Sequence, residues 1–194
     1  MSGFIWFSAG HRGYADPSMG AKGGGLIEGE LVAAYLGEAH YQLIERGHIV
    51  RQPDRIGGLA DQAAEISEIA RANPGAKMAV ILAHVNSAGP EHDYSAHLWH
   101  CERPNDRVLA SCLATEFGFA PLSRAVCVPA TRGGWTYRSY SILDPFRNCP
   151  PNVSIAVFEP CFLSNEAHRA QLLTRGGLVR IGGALADALD HWLG

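Results

Sequence analysis

Two rhythms of apolar and polar positions run along the chain. Short continuous apolar runs at Phe4–Ser8, His48–Arg51, Met78–Ala83, Ala125–Val128 and Val153–Phe158 suit buried strands. Between them the apolar positions recur at helical spacing. Residues 28–46 place Val32, Tyr35, Leu36, Ala39 and Leu43 on one face, and Gly47 ends that helix. Residues 55–72 align Ile56, Leu59, Ala63, Ile66 and Ile69, and Asn73-Pro74-Gly75 stops them. A third helix is expected over 105–118, with Val108, Leu109, Cys112 and Leu113 facing inward. A last one is expected over 178–193, with Leu178, Ile181, Leu185, Leu189 and Trp192. Strand and helix therefore alternate, which predicts an α/β domain with a largely parallel sheet covered on both faces.

Composition narrows the class without changing this picture. The 194 residues suffice for one domain with a sizeable core, spanning 1–194, and no repeat, low-complexity tract or linker divides them. With 47% hydrophobic and 18% charged residues the chain is expected to fold rather than stay disordered. The net charge is −3, and no basic run or aromatic-basic interleaving points to nucleic acid. No apolar stretch approaches the roughly 20 residues that span a bilayer. The start of the chain shows no secretory signal pattern, so synthesis in the cytoplasm is the expectation. Five cysteines, an odd count without a CxxC pair, argue against a disulfide framework.

Open parallel sheets bind ligands at the carboxyl ends of their strands, and three chemically capable residues fall there. The first apolar run leads to His11 in "SAGHRG", the third to His84 in "LAHVNSA", and the last to Glu159 in "VFEPCF". A fourth candidate opens the first helix. Glu28 and Glu30 stand two apart and so point to nearly opposite sides. Glu28 shares the face of Val32 and Tyr35, the buried side, where a carboxylate is costly unless paired or bound to a cation. His11, Glu28 and His84 would offer zinc two nitrogens and one oxygen, with a fourth position left for water. Glu159 could then serve as general base, taking a proton from that water and passing one to a leaving amine.

These blocks together resemble the zinc-dependent N-acetylmuramoyl-L-alanine amidases, the family called amidase type 3. "SAGHRGYADPSMGAKGGGLIEGEL" is similar to the family's opening, a Gly-His turn, a Gly-rich loop and a Gly-Leu-x-Glu helix start. "LAHVNSA" resembles its second histidine segment, and "VFEPCFLSNEAHRAQL" its closing segment with a short helix. The resemblance implies a sheet of about six strands flanked by helices, zinc ligands at His11, Glu28 and His84, and a catalytic glutamate at Glu159. It also implies cleavage of the amide between N-acetylmuramic acid and L-alanine in peptidoglycan, by an endolysin-like or autolysin-like enzyme that reaches the cell wall or periplasm after release or export. The chain departs from the pattern at Arg12, Ala83 and Pro160-Cys161, which bears on substrate fit more than on the ligands. Arg12, Asn86, Arg132 and Arg138 are the candidates to contact substrate, Arg12 through a stem carboxylate.

Other features compete. "HDYSAHLWHC", residues 92–101, offers three histidines, either as a second metal cluster or as a loop beside the site whose Tyr94 and Trp99 line a sugar or peptide groove. Cys161 could be read as a nucleophile or as core packing. "ATRGGWTYRSYS", residues 130–141, reads as a loop at the mouth of the site. Two other functions stay open. One is a different zinc hydrolase on this scaffold, acting on N-formyl amino acids or as a carboxypeptidase, which would use an arginine pair to hold a substrate carboxylate. The other is a wall-binding module without catalysis.

Overall fold

The first apolar run forms β1 (Phe4–Ala9), the start of a six-stranded sheet. The computed structural model describes residues 3–10, 19–52, 58–116, 124–133 and 136–194. A two-stranded hairpin, β2 (Lys22–Gly23) and β3 (Leu26–Ile27), leads into α1 (Glu28–Glu45). Then follow β4 (Ile49–Arg51), α2 (Leu59–Ala72), β5 (Met78–Ala83), β6 (Tyr94–His100), α3 (Asp106–Glu116) and β7 (Arg124–Ala130). The chain closes with α4 (Tyr137–Leu143), β8 (Val153–Glu159), α5 (Glu166–Leu172) and α6 (Arg175–Leu193).

The strand order is β4-β1-β5-β8-β6-β7. Pairing is parallel except between β6 and β8, where His97 stands opposite Phe158. Residues along β1, β5 and β8 alternate between two cores. Phe7, Ile81 and Phe158 pack under α1, α3 and α6; Trp6, Val80 and Val157 pack under α2 and α4. Period-two alternation on a sheet buried on both faces gives this three-layer α/β domain. Gly182 lets α6 lie close on α1, since a Cβ there would fall 2.5 Å from the Tyr35 carbonyl oxygen.

Three local expectations change. Residues 94–100, expected as a loop, form a strand buried between β8 and β7. Ser95, His97 and His100 interrupt the apolar pattern that would have marked it. In α3 the inward set is Leu109, Ala110 and Leu113, while Val108 is 62% exposed. The 130–141 stretch holds the end of β7 and most of α4 rather than one loop. Pro129 is tolerated because β7 is an edge strand.

β1 and β5 are neighbours whose onward connections diverge, one towards β4 and the other past β8 to β6. Such a switch point opens a crevice at the carboxyl ends of the two strands.

Candidate active site

The hairpin β2–β3 delivers Glu28 to that crevice. Gly24 and Gly25 at its turn have φ of 58° and 81°, the pair of positive values that a tight two-residue turn demands. The backbone then returns on itself, with Ala21 N donating to Glu28 Oε2 and Glu28 N donating to the Ala21 carbonyl, both at 2.9 Å. Gly20, at φ 97°, cradles the carboxylate, for a Cβ there would stand 2.8 Å from Oε2. Glu28 is only 3% exposed, whereas Glu30 faces solvent, as the helical phase requires.

His84 follows β5 directly. Its backbone N–H donates to the Phe158 carbonyl and its own carbonyl accepts from Tyr35 Oη, each at 3.0 Å, so strand and helix together fix its backbone. His84 Nδ1 lies 3.0 Å from Glu28 Oε1, which also accepts from Val85 N at 3.1 Å. Burial alone would raise the Glu28 pKa; His84 and the N–H groups of Ala21 and Val85 outweigh it and hold the carboxyl below its usual range. Burial likewise works to lower His84, and Glu28 and Glu159 reverse it, so the imidazole pKa is raised.

Glu159 ends β8. Asn86 Nδ2 donates to its Oε2, and the amide cannot turn away, because Asn86 Oδ1 accepts from Ser87 N at 2.8 Å. The Asn86 backbone is bound on both sides, to the Cys161 carbonyl and to Leu163 N. Burial lifts the Glu159 carboxyl to about 7, against the pull of His84 and with the push of Glu28. Glu28, His84, Asn86 and Glu159 all line one cavity of about 740 Å³.

The fold has well-matched solved relatives. The CwlD amidase of Clostridioides difficile, solved with the GerS lipoprotein, superposes with a TM-score of 0.74 at 14% identity, covering 100% of this chain and 98% of that one. The N-acetylmuramoyl-L-alanine amidase AmiC2 of Nostoc punctiforme gives 0.69 at 18% identity, with 100% and 99% covered. The catalytic domain of CwlV, an N-acetylmuramoyl-L-alanine amidase of Bacillus (Paenibacillus) polymyxa var. colistinus, gives 0.70 at 19% identity, with 98% of each chain covered. The chain has the fold of these amidases. No family model matches it, and no curated protein matches it by sequence.

On this amidase fold the donor set can be tested for a metal. Among the described residues no three His, Cys, Asp or Glu side chains group to hold an ion. Of the three expected ligands, Glu28 and His84 lie side by side. The 3.0 Å between Glu28 Oε1 and His84 Nδ1 is near the spacing of about 3.3 Å that two donors keep around one tetrahedral zinc. His11 and Arg12 lie outside the described residues. Gly10, the residue before His11, abuts the same ring, and a Cβ there would stand 2.5 Å from His84 Nδ1. A buried carboxylate cradled against an imidazole is a donor pair whose chemistry suits a divalent cation.

The remaining candidates separate. Arg138 lines the cavity, together with Ser139 and Ile142 of α4. Arg132 does not; it follows β7 at the opposite end of the sheet, where its Nε donates to Tyr140 Oη at 2.9 Å. His97 and His100 fall on opposite faces of β6, against Phe158 and Tyr140, so they form no joint metal cluster. Trp99 packs against the core, while Tyr94 reaches the cavity. Cys161 is fully buried and its thiol pKa is driven up by burial, which suits packing rather than nucleophilic attack. The sequence reading placed His92 in a loop beside the site but missed Phe162; the two form an aromatic wall with Tyr94, the ring centroids of Tyr94 and Phe162 being 4.9 Å apart. Asn165 holds that wall through Nδ2 bonds to the carbonyls of Pro90 and His92. The signal was the "FLSN" block itself, in which Phe162 and Asn165 stand three apart.

Proposed function

We propose that the protein is a zinc-dependent N-acetylmuramoyl-L-alanine amidase, hydrolysing the amide between N-acetylmuramic acid and L-alanine in peptidoglycan. The observation that carries this reading is the convergence of Glu28, His84 and Glu159 on one cavity, on a fold shared over its whole length with such amidases. Glu28 and His84, with His11 as the third ligand expected from the sequence, would hold the ion. Bound there, zinc supplies an acidified water and a polarised carbonyl. Glu159 takes the proton from the attacking water and returns it to the nitrogen of the departing L-alanine. Asn86 holds the Glu159 carboxylate at one oxygen and leaves the other for that proton. Tyr35 and the Phe158 carbonyl hold the His84 backbone at the crevice, and Glu28 holds its ring.

The carboxypeptidase-like alternative calls for an arginine pair, and only one of the two candidate arginines lines the cavity. Peptidoglycan lies outside the cytoplasmic membrane, so this activity requires release or export of the protein. No described helix is long and apolar enough to cross a membrane. The deciding experiment is mass spectrometry of purified cell wall digested by the protein, with and without chelator. New L-alanine amino groups that disappear with chelator are expected; intact muramyl-alanine links after digestion by metal-loaded protein would reject the activity.

A further inference from the structure

The charged groups of the cavity are divided between the two faces of the sheet. Glu28 belongs to α1, whose Val32 and Tyr35 enter the core shared with α6. Arg138 belongs to α4, whose Tyr140 and Leu143 enter the core on the other side. Glu159, at the end of β8, stands between the two layers. A substrate lying across the end of the sheet thus meets acids first and a cation beyond them.

Among the described residues nothing engages the cation. Both acids are engaged, Glu28 with His84 and two backbone N–H groups, Glu159 with Asn86. The guanidinium of Arg138 makes no hydrogen bond or ion pair with any described residue, although it lines the same cavity. Its backbone, by contrast, is fixed. Ser141 Oγ donates to the Arg138 carbonyl at 2.8 Å, and Ser139 and Tyr140 beside it are buried. A helix anchored by its neighbours therefore presents to whatever enters a planar cation that no described residue engages. Guanidinium matches a carboxylate through two parallel N–H bonds and binds a neutral carboxamide much less well.

We propose that Arg138 binds a carboxylate of the peptide stem, remote from the bond that is cut, so that the site takes acidic stems in preference to amidated ones. The inference rests on the amidase reading and deepens it by naming the substrate class. In the stem the residue after L-alanine is a γ-linked D-glutamate, whose α-carboxyl is either free or converted to an amide. Those two forms differ by the one charge that Arg138 would read.

The test uses two muramyl peptides, identical except for carboxylate or carboxamide at that second residue. With the wild-type protein, kcat/KM is expected to favour the acid by about 10- to 100-fold, mainly through KM, the range of a hydrogen-bonded charge. Arg138→Gln brings the ratio close to unity, Arg138→Lys keeps part of it, and Arg138→Glu reverses it. Circular dichroism and melting temperature verify that each variant is folded. Equal efficiency of the wild type on both peptides, or a ratio unmoved in folded Arg138→Gln, overturns the proposal while leaving the amidase reading intact. If the wild type cuts neither peptide, the amidase reading falls, and calorimetric binding of the same two peptides decides the rest. Tighter binding of the acid that is lost in Arg138→Gln supports the arginine's role; equal binding, or none, overturns it.

Discussion

His84, partly buried, and His97, fully buried, both lie beside Phe158 on neighbouring parts of one sheet, and they have opposite electrostatic fates. His84 ends a strand at the crevice, where Glu28 and Glu159 overcome its burial and raise its pKa. His97 lies mid-strand with a serine hydroxyl, Ser95 Oγ, 3.1 Å from its Nε2, and burial lowers its pKa to about 3. The difference teaches where chemistry resides in this fold. A histidine that meets carboxylates at a strand end has its charged form favoured, and one whose burial dominates is held neutral and packs in the core.

The largest expected effect breaks the charged end. Glu159→Gln keeps the shape and the Asn86 contact but removes the proposed base, and turnover of peptidoglycan should fall by about 10²- to 10⁴-fold. Zinc content, measured by atomic emission, should be unchanged in that variant. His84→Ala should lose both metal and activity, because it removes a proposed ligand rather than the proposed base. A Glu159→Gln protein that lost its zinc, or kept its turnover, would contradict the division of roles between the two residues.

The neutral end yields a pH prediction. In the unfolded chain His97 titrates near 6.5, and in the fold it does so near 3, so the unfolded state takes up the proton first. Its contribution is complete above about pH 6.5 and is lost as pH falls towards 3, by an amount on the order of 4–5 kcal/mol. Asp106, lifted to about 6 by burial despite Arg103, works in the other direction. Its folded carboxyl holds a proton that the unfolded one releases, so stability declines from about pH 4 to 6. The informative measurement is therefore the difference between wild type and His97→Gln in chemical denaturation across pH 4–7. The acid-side slope attributable to residue 97 should vanish in the variant; parallel curves would show that His97 is not held neutral.

These contrasts also account for what the chain disclosed beforehand. Glu28 was legible because helical phase alone sets it on the buried side with Val32 and Tyr35. His84 and Glu159 were legible because uninterrupted apolar runs end at them. β6 was not, since Ser95, His97 and His100 resemble a polar loop until β7 and β8 bury them on either side. α4 is seven residues long and enters its core through Ser139, Tyr140 and Leu143, too short a face to produce a period. The Asn86 bond to Glu159 depends on pairing residues 84–87 with 161–163, a contact that no local pattern encodes.

A smaller effect is expected at the end of the sheet away from the crevice. There Arg103 donates to Asp106 and to the carbonyls of Arg147, Cys149 and Val153, so an arginine and an acid are wholly absorbed in holding the backbone. Arg103→Gln strands the buried Asp106 and should cost about 3 kcal/mol, lowering the melting temperature by roughly 6–12 °C. The ratio of kcat/KM on acid and amidated stems should stay at its wild-type value, in contrast with Arg138→Gln.

The smallest effect sharpens the comparison within one helix turn. Glu28 and Glu30 both sit in the first turn of α1, where carboxylates favour the helix dipole. Only Glu28 is buried, and only Glu28 touches His84. Glu30→Ala should therefore cost no more than about 0.5–1 kcal/mol, the dipole contribution alone, and leave zinc content and turnover untouched. Glu28→Ala loses the same dipole contribution and in addition the carboxylate between His84 and the N–H groups of Ala21 and Val85, so metal and activity should go with it. Equal losses in the two variants would mean that the acid at the helix start acts through charge at long range. Loss confined to Glu28→Ala would mean that it acts through contact, because two residues of helix are enough to turn an identical side chain from the crevice to the solvent.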